Sequence, residues 1–385
     1  MVGSLGGRSG SHGSGGDSGD GSVDRRIARW RLASQHLSGP GLGSAEAVVD
    51  SLLAVQAENH SQSSWAVAAR TSGMTEVEFT AAYDAGEILR THVMRPTWHF
   101  VTPADIGWLL DLTGPRIWGS TFRNLANRGL DPAALERAGE IVTAALAGDG
   151  PRTRPEIGAY LDDAGLPSTG QLLGHQLAWC EMHGLICSGP LRDGTHTYAL
   201  LDERSPDRRR LDRDEALAEL ALRYFTSHGP ATERDLAYWA TQTLTDVRAG
   251  IASVADQLES FDHDGRTFWH APIEGSGPEP ADATPEPRGH ILQILDETFR
   301  GYQDSRWVID TDKLVTRGRE PSIGMLLVDA QMVGYMTRTV RADDVEFTVR
   351  PMRHLDDGEL AAIEAAASRY ARYLDREPTV TWTAA

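Results

Sequence analysis

Gln56 and Glu58 attract attention in the stretch SLLAVQAENH, because an amide and a carboxylate follow a run of apolar residues. An amide can orient a water molecule, and a carboxylate can polarise the same water by accepting its proton. On an ideal helix, residues two apart point about 200° away from each other. The pair can therefore share one water only if the helix ends near Gln56 and the chain becomes extended. The next residues, ENHSQSS, are rich in turn formers, which favours such an exit.

A second interpretation of this stretch needs no chemistry. Gln56 would be the C-terminal cap of a helix that Ser44 starts, and Glu58 would be a solvated loop residue. The helix itself is indicated by apolar residues at helical spacing, namely Val48, Val49, Leu52, Leu53 and Val55. The spacing by itself favours this second interpretation.

Other residue types that often carry chemistry do not form a convincing site. Histidines and cysteines lack the paired spacing of a metal site. We expect ordinary core or surface roles for His92, His99, His175, His183, Cys180 and Cys187. The chain has no Gly-x-Ser-x-Gly elbow, no P-loop and no dinucleotide fingerprint. The sequence therefore predicts neither a metal nor a cofactor.

Length and composition are those of an acidic, globular chain. Its 385 residues favour two or three domains, and a hydrophobic content of 40% is normal for a globular protein. No apolar run is long enough to span a membrane, and the N-terminus has no apolar signal-peptide core. We therefore expect a cytoplasmic protein with no membrane partner, acting as a monomer.

The charge of the chain weighs against nucleic-acid binding without excluding it. The formal net charge is -18, whereas neutralisation of phosphates dominates affinity for DNA. A basic patch can nevertheless lie on an acidic body. Of the 37 basic residues, only Lys313 is a lysine. Arginine can fork onto phosphates and base edges, but it cannot serve as an amine nucleophile.

An internal repeat organises the middle of the chain. The segment GPRTRPEIGAYL begins at Gly150 and GPATERDLAYWA begins at Gly229, and in each a threonine precedes an acidic residue at capping-box spacing. Each copy therefore starts a short helix after a tight turn. A second helix pattern and two short strand patterns follow each copy, which is the order of a winged helix-turn-helix.

The N-terminal part contains a third, weaker copy. Its segment EILRTHVMRPTWHFV predicts a hairpin, the wing of this unit, with a turn near Arg95. Trp98 and Phe100 alternate along the strand with Thr97 and His99, so one pair faces the core and the other faces out. Aromatic side chains are usually the buried ones. We therefore expect His99, rather than Trp98, to face out near the site.

The segments outside the three copies differ in composition. Residues 1–22 are mostly Gly and Ser and predict a disordered tail, and the acidic, Pro-rich residues 276–287 predict a linker. HILQILDETFRGYQD, IGMLLVDAQMVGYMTRTV and DVEFTVRPM predict strands, and DDGELAAIEAAASRYARYL predicts a closing amphipathic helix. The predicted fold is α+β, with winged helices at 23–128, 129–205 and 206–275 and a β-rich unit at 288–385.

Three winged helices in tandem usually present a DNA-binding surface, although protein contacts are the alternative. A helix of such a unit can enter the major groove while the wing touches the DNA backbone. Arginines in or beside predicted hairpins are the candidate DNA contacts, together with His99 of the wing. We expect these arginines to gather on one concave face: Arg90, Arg95, Arg300 and Arg338.

Five segments carry a resemblance to a known family: LLAVQAEN, ILRTHVMRPTWHFVTPADIGWLL, TRPEIGAYL, GPATERDLAYWA and MLLVDAQMVGYMTRT. Together they resemble the winged-helix DNA glycosylases of the AlkZ type, from about residue 25 to the C-terminus. The resemblance implies three tandem winged helices in a C shape, followed by a β-rich, barrel-like unit. It also implies removal of alkylated purines from double-stranded DNA, in some members from interstrand crosslinks.

The resemblance assigns a catalytic role to the opening pair. The catalytic motif of that family is Gln-x-Gln or Gln-x-Asp, so Gln56 matches the first position and Glu58 departs from both usual residues at the second. Glutamate keeps the carboxylate of aspartate but reaches roughly 1.5 Å farther. The implied chemistry needs one directed water and a carboxylate near the sugar, without metal or cofactor. A non-catalytic DNA-binding or regulatory protein is the alternative.

The single lysine bears on the kind of glycosylase that the resemblance implies. Cutting the abasic sugar usually needs an amine that forms a Schiff base. Lys313 lies in the polar segment DTDKLVTRG, far from Gln56 in sequence. We therefore expect a monofunctional enzyme, which releases the base and leaves the abasic sugar uncut.

Overall fold

The computed structural model describes residues 20–121, 125, 129–272, 288–293, 295–315 and 324–383. The predicted linker at 276–287 lies outside the described residues, and so do residues 1–19 of the predicted tail. The first helix, α1 (Asp20–Ser34), begins earlier than predicted, so the last three residues of the expected tail are helical.

Three consecutive segments share one order of elements: a helix, a short extended stretch, two helices and a hairpin. The first consists of α2 (Ala45–Leu52), β1 (Val55–Gln56), α3 (His60–Ala68), α4 (Glu76–Ala85), β2 (Leu89–His92) and β3 (Trp98–Val101). After α5 (Ile106–Thr121), the second consists of α6 (Pro132–Asp149), β4 (Arg152–Thr153), α7 (Arg154–Asp163), α8 (Gln171–Met182), β5 (Ile186–Ser188) and β6 (Thr197–Leu200). After α9 (Leu201–Arg204), the third consists of α10 (Arg213–Ser227), α11 (Glu233–Trp239), α12 (Leu244–Ser253), β7 (Glu259–His263) and β8 (Arg266–His270).

The strand pairing repeats as well. The first two segments form three-stranded sheets in the orders β1-β3-β2 and β4-β6-β5, so the early strand pairs with the last strand of the hairpin. In the third segment β7 pairs with β8, and Ala231 bridges to Trp269 of β8 at the corresponding place. We call these the first, second and third units. The fold is α+β, as predicted.

The capping boxes read from the repeat are present. Thr153 and Glu156 cap α7 reciprocally, and Thr232 and Asp235 cap α11 in the same way. In each pair the threonine side chain satisfies a free N–H of the first helical turn and the acid binds back to the threonine N–H. Ser44 likewise caps α2, as predicted.

The helix before Gln56 ends earlier than the apolar spacing predicts. Helix α2 stops at Leu52, and Leu53 adopts a left-handed φ of 66°. Val55 and Gln56 are then extended and pair with Phe100 and His99 of β3. Gln56 is therefore a strand residue, and its predicted alternative role as a helix cap is wrong.

The C-terminal unit is a five-stranded sheet with a long helix packed against it. Its elements are β9 (Gly289–Leu292), α13 (Glu297–Arg300), β10 (Gly324–Val328), β11 (Gln331–Val340), β12 (Asp344–Pro351), α14 (Asp357–Leu374) and β13 (Glu377–Trp382). The sheet order is β13-β12-β11-β10-β9, with β13 parallel to β12 and the other pairs antiparallel. The segment HILQILDETFRGYQD, predicted as a strand, is extended only over β9 and then becomes helical at α13. The predicted closing helix is α14, but a strand follows it.

Packing joins the first unit to the C-terminal unit and to the third unit. Trp65 of α3 stacks on Tyr370 of α14, with ring centroids 4.2 Å apart, and its Nε1 donates to the carbonyl oxygen of Ile291 at 2.7 Å. A separate core combines the first hairpin, α5 and the helices of the third unit. The hairpin that follows Gln56 is therefore enclosed by the first, third and C-terminal units. No helix among the described residues has the length and apolar character needed to cross a bilayer.

Candidate catalytic site

The backbone of Gln56 is held at the junction of three units. Its strand, β1, lies on β3 of the wing, and its N–H donates to Oε1 of Glu297 at 2.8 Å. Glu297 is the first residue of α13 in the C-terminal unit and is completely buried. A carboxylate from a distant part of the chain thus fixes the backbone of the candidate catalytic residue.

The side chain of Gln56 has a defined orientation. It is 4% exposed, its Oε1 accepts a hydrogen bond from Arg95 Nη2 at 3.1 Å, and its Nε2 donates to Thr97 Oγ1 at 3.3 Å. The charged donor on one side and the hydroxyl on the other define which end of the amide is oxygen. One amide hydrogen and one lone pair of Oε1 remain for a further partner.

Glu58 reaches the same turn from the surface. Its side chain is exposed, and its Oε2 accepts a hydrogen bond from the N–H of Trp98 at 3.3 Å. The strand ends at Gln56 and the chain bends at Glu58, and the two side chains bind adjacent residues of the wing, Thr97 and Trp98. The structure therefore brings Gln56 and Glu58 together, in the geometry that an exit from the helix would allow.

Beneath Gln56 lies a buried charge cluster. Arg95 donates to the carbonyl oxygen of Trp239 at 3.0 Å, and the indole Nε1 of Trp239 donates to Oε2 of Glu297 at 2.8 Å. His228 Nε2 lies 3.5 Å from the same carboxylate oxygen. The carboxylate therefore has donors from the first and third units, which satisfies a group that would otherwise be costly to bury.

The cluster controls the charges around the site. Burial alone would raise the pKa of Glu297, but the close approach of His228 and the charge of Arg95 dominate and lower it to about 2. Burial also lowers the pKa of Arg95, an effect that Glu297 partly offsets. At neutral pH the cluster therefore holds a carboxylate and a guanidinium, and Gln56 contacts both, Glu297 through its N–H and Arg95 through its Oε1.

His99 lies on the inner side of the wing, so the expectation that it faces out is wrong. It is completely buried, with Nδ1 3.0 Å from the carbonyl oxygen of Thr97 and Nε2 3.2 Å from Arg95 Nη2. Burial and the charge of Arg95 lower its pKa to about 3, so the ring is neutral. The alternation argument failed because both faces of β3 are covered: Phe100 packs in one core and His99 packs on the charge cluster.

The four predicted arginines do not share one exposed face. Arg90 is 5% exposed, and it donates to the carbonyl oxygens of Ala57 at 2.8 Å and Glu58 at 3.2 Å. Arg95 belongs to the buried cluster. Arg300 is half-buried beside Phe299, and Arg338 donates to the carbonyl oxygen of Ser61 at 3.0 Å. Arg90 and Arg95 therefore support the loop that carries Gln56 and Glu58, and DNA contact by any of the four stays a prediction.

Sequence reasoning missed three residues of this site: Glu297, His228 and Trp239. Glu297 is 241 positions away from Gln56, in a segment predicted to be a strand. Trp239 lies near the end of the repeated segment GPATERDLAYWA, which predicts a helix and not a site residue. No local pattern marks such residues, because the contact between them exists only after the units pack.

Cys180 and Cys187 are buried and unpaired by any disulfide, in keeping with the expected idle thiols. Burial raises the pKa of both thiols, which keeps them protonated. Within the described ranges, no group of three His, Cys, Asp or Glu side chains is arranged to hold a metal ion.

Comparison with solved structures shows which fold this is. The structure of Streptomyces sahachiroi DNA glycosylase AlkZ matches with a TM-score of 0.76 at 22% sequence identity, over 93% of this chain and 99% of that chain. Among curated proteins, the interstrand DNA cross-link repair glycosylase of Streptomyces sahachiroi is 27% identical over 255 residues, which are 63% of this chain and 68% of that protein.

The family model described as DNA glycosylase AlkZ-like matches residues 49–373, most of the chain. Fold and family together define the class of protein as a DNA glycosylase, a hydrolase acting on N-glycosyl bonds. The protein belongs to the AlkZ-like DNA glycosylase family, which confirms the resemblance seen in the sequence. The matched range includes Gln56, Glu58 and the whole charge cluster.

Proposed function

We propose that this protein is a monofunctional DNA glycosylase that hydrolyses the N-glycosidic bond of alkylated purines, with Gln56 and Glu58 directing one water. The observation that carries the proposal is the convergence of the two side chains on the wing turn. Gln56 is buried and oriented by two hydrogen bonds, whereas Glu58 presents an exposed carboxylate beside it. A fixed amide next to an accessible carboxylate is the arrangement that water activation requires.

The proposed reaction needs little from the protein beyond charge and position. The oxygen of water bonds to the anomeric carbon of the sugar as the bond from that carbon to the purine nitrogen breaks. The leaving purine keeps the electron pair, which cancels the positive charge that alkylation placed on it. Glu58 accepts the proton from the water and stabilises the cationic sugar in the transition state. Gln56 holds the water through its remaining amide hydrogen or lone pair.

Glu297 has a positioning role in this proposal. Its carboxylate binds the N–H of Gln56, and through Arg95 it balances the charge that orients the Gln56 amide. Because the cluster is water-excluded and held by three units, it does not need to reorganise during the reaction. Preorganised polar groups of this kind commonly supply a large share of catalysis.

We further propose that the first, second and third units are winged helices that bind double-stranded DNA along a C-shaped surface. The support is the shared order of elements and the strand pairing, which place a two-stranded wing after two helices in each unit. Affinity for duplex DNA should fall steeply with salt, as phosphate contacts require. An affinity for duplex DNA that does not change with salt concentration would contradict DNA binding of this kind.

The decisive experiment measures base release from methylated duplex DNA. Wild-type protein should release methylated purines, and Glu58→Ala should abolish release because, among the described residues, no other carboxylate accepts the backbone N–H of Trp98 beside Gln56. Glu58→Gln creates the Gln-x-Gln motif and tests whether the charge is needed. Glu46→Ala, which removes another exposed carboxylate of the first unit, is the matched control and should keep full activity.

Two outcomes would overturn the enzymatic proposal. Full base release by the Glu58→Ala variant would remove Glu58 from the reaction. Binding of duplex DNA without any base release from methylated or crosslinked substrate would favour the non-catalytic alternative. The crosslinked substrate is included because the curated relative is named for interstrand crosslink repair.

The monofunctional part of the proposal has a separate test. Lys313, the single lysine, is exposed and lies in the C-terminal unit, and none of its described contacts is with the catalytic pair. Borohydride should therefore trap no covalent adduct between protein and DNA during base release. A trapped adduct would show that an amine takes part.

A further inference from the structure

A cleft lies between the first unit and the C-terminal unit. It has a volume of about 850 Å³ and is lined by the loop after α3, by β9, by one face of α14 and by the start of β13. None of its lining residues contacts the side chain of Gln56 or Glu58. The cleft is therefore separate from the candidate catalytic site.

Four arginines line this cleft, and three of them, Arg288, Arg369 and Arg372, lie near enough to one another for their charges to interact. Arg369 and Arg372 are three residues apart on α14 and so share one face of the helix. Arg288 immediately precedes β9, and Arg369 Nη2 donates to the carbonyl oxygen of Gly289 at 2.6 Å. Gly289 permits this approach, because a Cβ there would lie 2.4 Å from the carbonyl oxygen of Ala362 on α14.

These arginines lack acidic partners in a chain that has an excess of acids. The chain has 55 acidic and 37 basic residues, and several of its arginines form ion pairs with carboxylates, among them Arg29, Arg70 and Arg353. Within the described residues, no ion pair joins Arg288, Arg369 or Arg372 to any acid, although Asp343, Asp375 and Glu377 also line the cleft. The three guanidinium groups are thus without a direct carboxylate partner.

The positive charges of these arginines lower the pKa of neighbouring basic groups. Burial lowers the pKa of Arg369, and the charges of Arg288 and Arg372 lower it further. Burial and the charges of Arg288 and Arg369 lower the pKa of His290, which also lines the cleft, to about 3. His290 is therefore neutral and adds no charge. A bound anion would relieve the repulsion among the three guanidinium groups.

We propose that this cleft is a phosphate-binding site, in which Arg288, Arg369 and Arg372 hold one phosphate group. Guanidinium forks match the geometry of phosphate oxygens, and several arginines around one anion are typical of phosphate recognition. The site goes beyond the proposed base-release function, since no step of that reaction uses it. The phosphate group can come from the backbone of bound DNA or from a free phosphate ion, and the two sources are separable by experiment.

The test uses the full chain and the double variant Arg288→Ala/Arg372→Ala. Both side chains are exposed, so their removal should leave the fold intact, whereas Arg369 also binds the backbone. Arg350→Ala is the matched control, because Arg350 is an exposed arginine of β12 that does not line the cleft. It is seven residues from Asp343 of the cleft, which is about 23 Å along an extended strand. Rates of base release at saturating methylated DNA should stay unchanged in both variants, which separates this site from the catalytic one.

Two measurements identify the ligand. Inorganic phosphate, compared with chloride of equal ionic strength, should raise the thermal unfolding midpoint of wild-type protein and the control by about 1–2 °C and leave the double variant unmoved. If the phosphate belongs to DNA, the double variant should lose one phosphate contact. In a plot of log binding constant for undamaged duplex DNA against log salt concentration, its slope should then be shallower by about one than that of wild type. A phosphate response without a change in slope assigns the site to a free ion. If the double variant matches wild type in both measurements, the proposal is wrong.

Discussion

Among single residues, two neighbouring carboxylates of the C-terminal unit have different roles. Asp296 and Glu297 are adjacent and completely buried. Asp296 forms a two-pronged ion pair with Arg70 at 2.9 and 2.8 Å, while Glu297 binds the N–H of Gln56. Both contribute to stability, but only the second touches the backbone of a proposed catalytic residue.

This difference gives a residue-scale prediction. Asp296→Asn and Glu297→Gln should each lower the free energy of unfolding by roughly 3–5 kcal/mol, because each leaves a buried arginine without its counter-charge. Only Glu297→Gln should slow base release per folded molecule, by about 10- to 100-fold, since it loosens Gln56. Urea unfolding measures the first effect and single-turnover kinetics at saturating DNA the second.

Duplex DNA affinity should stay near that of wild type in both variants. A purely structural role for Glu297 predicts equal rates for the two variants, and that result would contradict the positioning role. If Asp296→Asn does not fold, Trp239→Phe offers a milder comparison, since it removes only one N–H donor to the Glu297 carboxylate.

At the scale of elements, two capping boxes that look equivalent in sequence differ in what else they bind. Glu156 of α7 caps its helix, and outside the helix it pairs with the exposed Arg192. Asp235 of α11 caps its helix and also accepts hydrogen bonds from the N–H groups of Gln303, Asp304 and Ser305 at 2.7–3.1 Å. The second box therefore also anchors the segment after α13 to the third unit.

The element-scale prediction compares the two acids. Asp235→Asn should lower the free energy of unfolding by roughly 3 kcal/mol, because an amide NH₂ would face buried donors. Glu156→Gln should have a much smaller effect, since the amide keeps one acceptor for the cap and its surroundings are solvated. Matched urea titrations of the two variants measure the difference. Equal losses would show that the anchor at Asp235 adds nothing to the cap.

At the scale of the whole molecule, packing of the units buries many histidines in neutral form. Burial is the main cause that lowers the pKa of His36, His60, His99, His196, His228 and His290. The unfolded chain takes up protons at these positions near the ordinary pKa of about 6.5, whereas the folded chain does so only at lower pH. Between these two pH values the folded chain therefore binds fewer protons than the unfolded chain.

The resulting prediction concerns acid stability. The free energy of unfolding should fall as pH decreases from about 6.5 toward about 4, by up to roughly 1 kcal/mol per pH unit for each fully buried histidine. The lowered pKa of Glu297 acts in another window: its stabilisation is complete above about pH 4.5 and is lost only as pH falls toward 2. Urea unfolding at about pH 7.5, 6.5 and 5.5 should resolve the histidine effect.

A pair of variants identifies the source of that pH dependence. His60→Asn should reduce the slope, because His60 is half-buried among Phe79, Tyr83 and Phe100 and its pKa is lowered to about 4. His354→Gln, which changes an exposed ring, should leave the slope unchanged. A stability that does not change between about pH 7.5 and 5.5 would contradict the prediction.

Local patterns in the sequence determined much of the architecture. Capping boxes predicted the starts of α7 and α11, and alternation with turn residues predicted the hairpin around Arg95, because these features depend on residues a few positions apart. The combination of segments that resembles the family also predicted the class of enzyme and pointed to Gln56 and Glu58. Each of these inferences rests on short-range geometry or on sequence motifs.

Tertiary structure alone decided how the pair is held. Burial of His99 and Arg95, the left-handed residue that ends α2 before Gln56, and the carboxylate of Glu297 follow from packing between units, not from spacing. The contact between Gln56 and Glu297 spans 241 positions, so no local periodicity encodes it. Buried charges are tolerated only where distant partners satisfy them, and those partners are defined once the whole chain has folded.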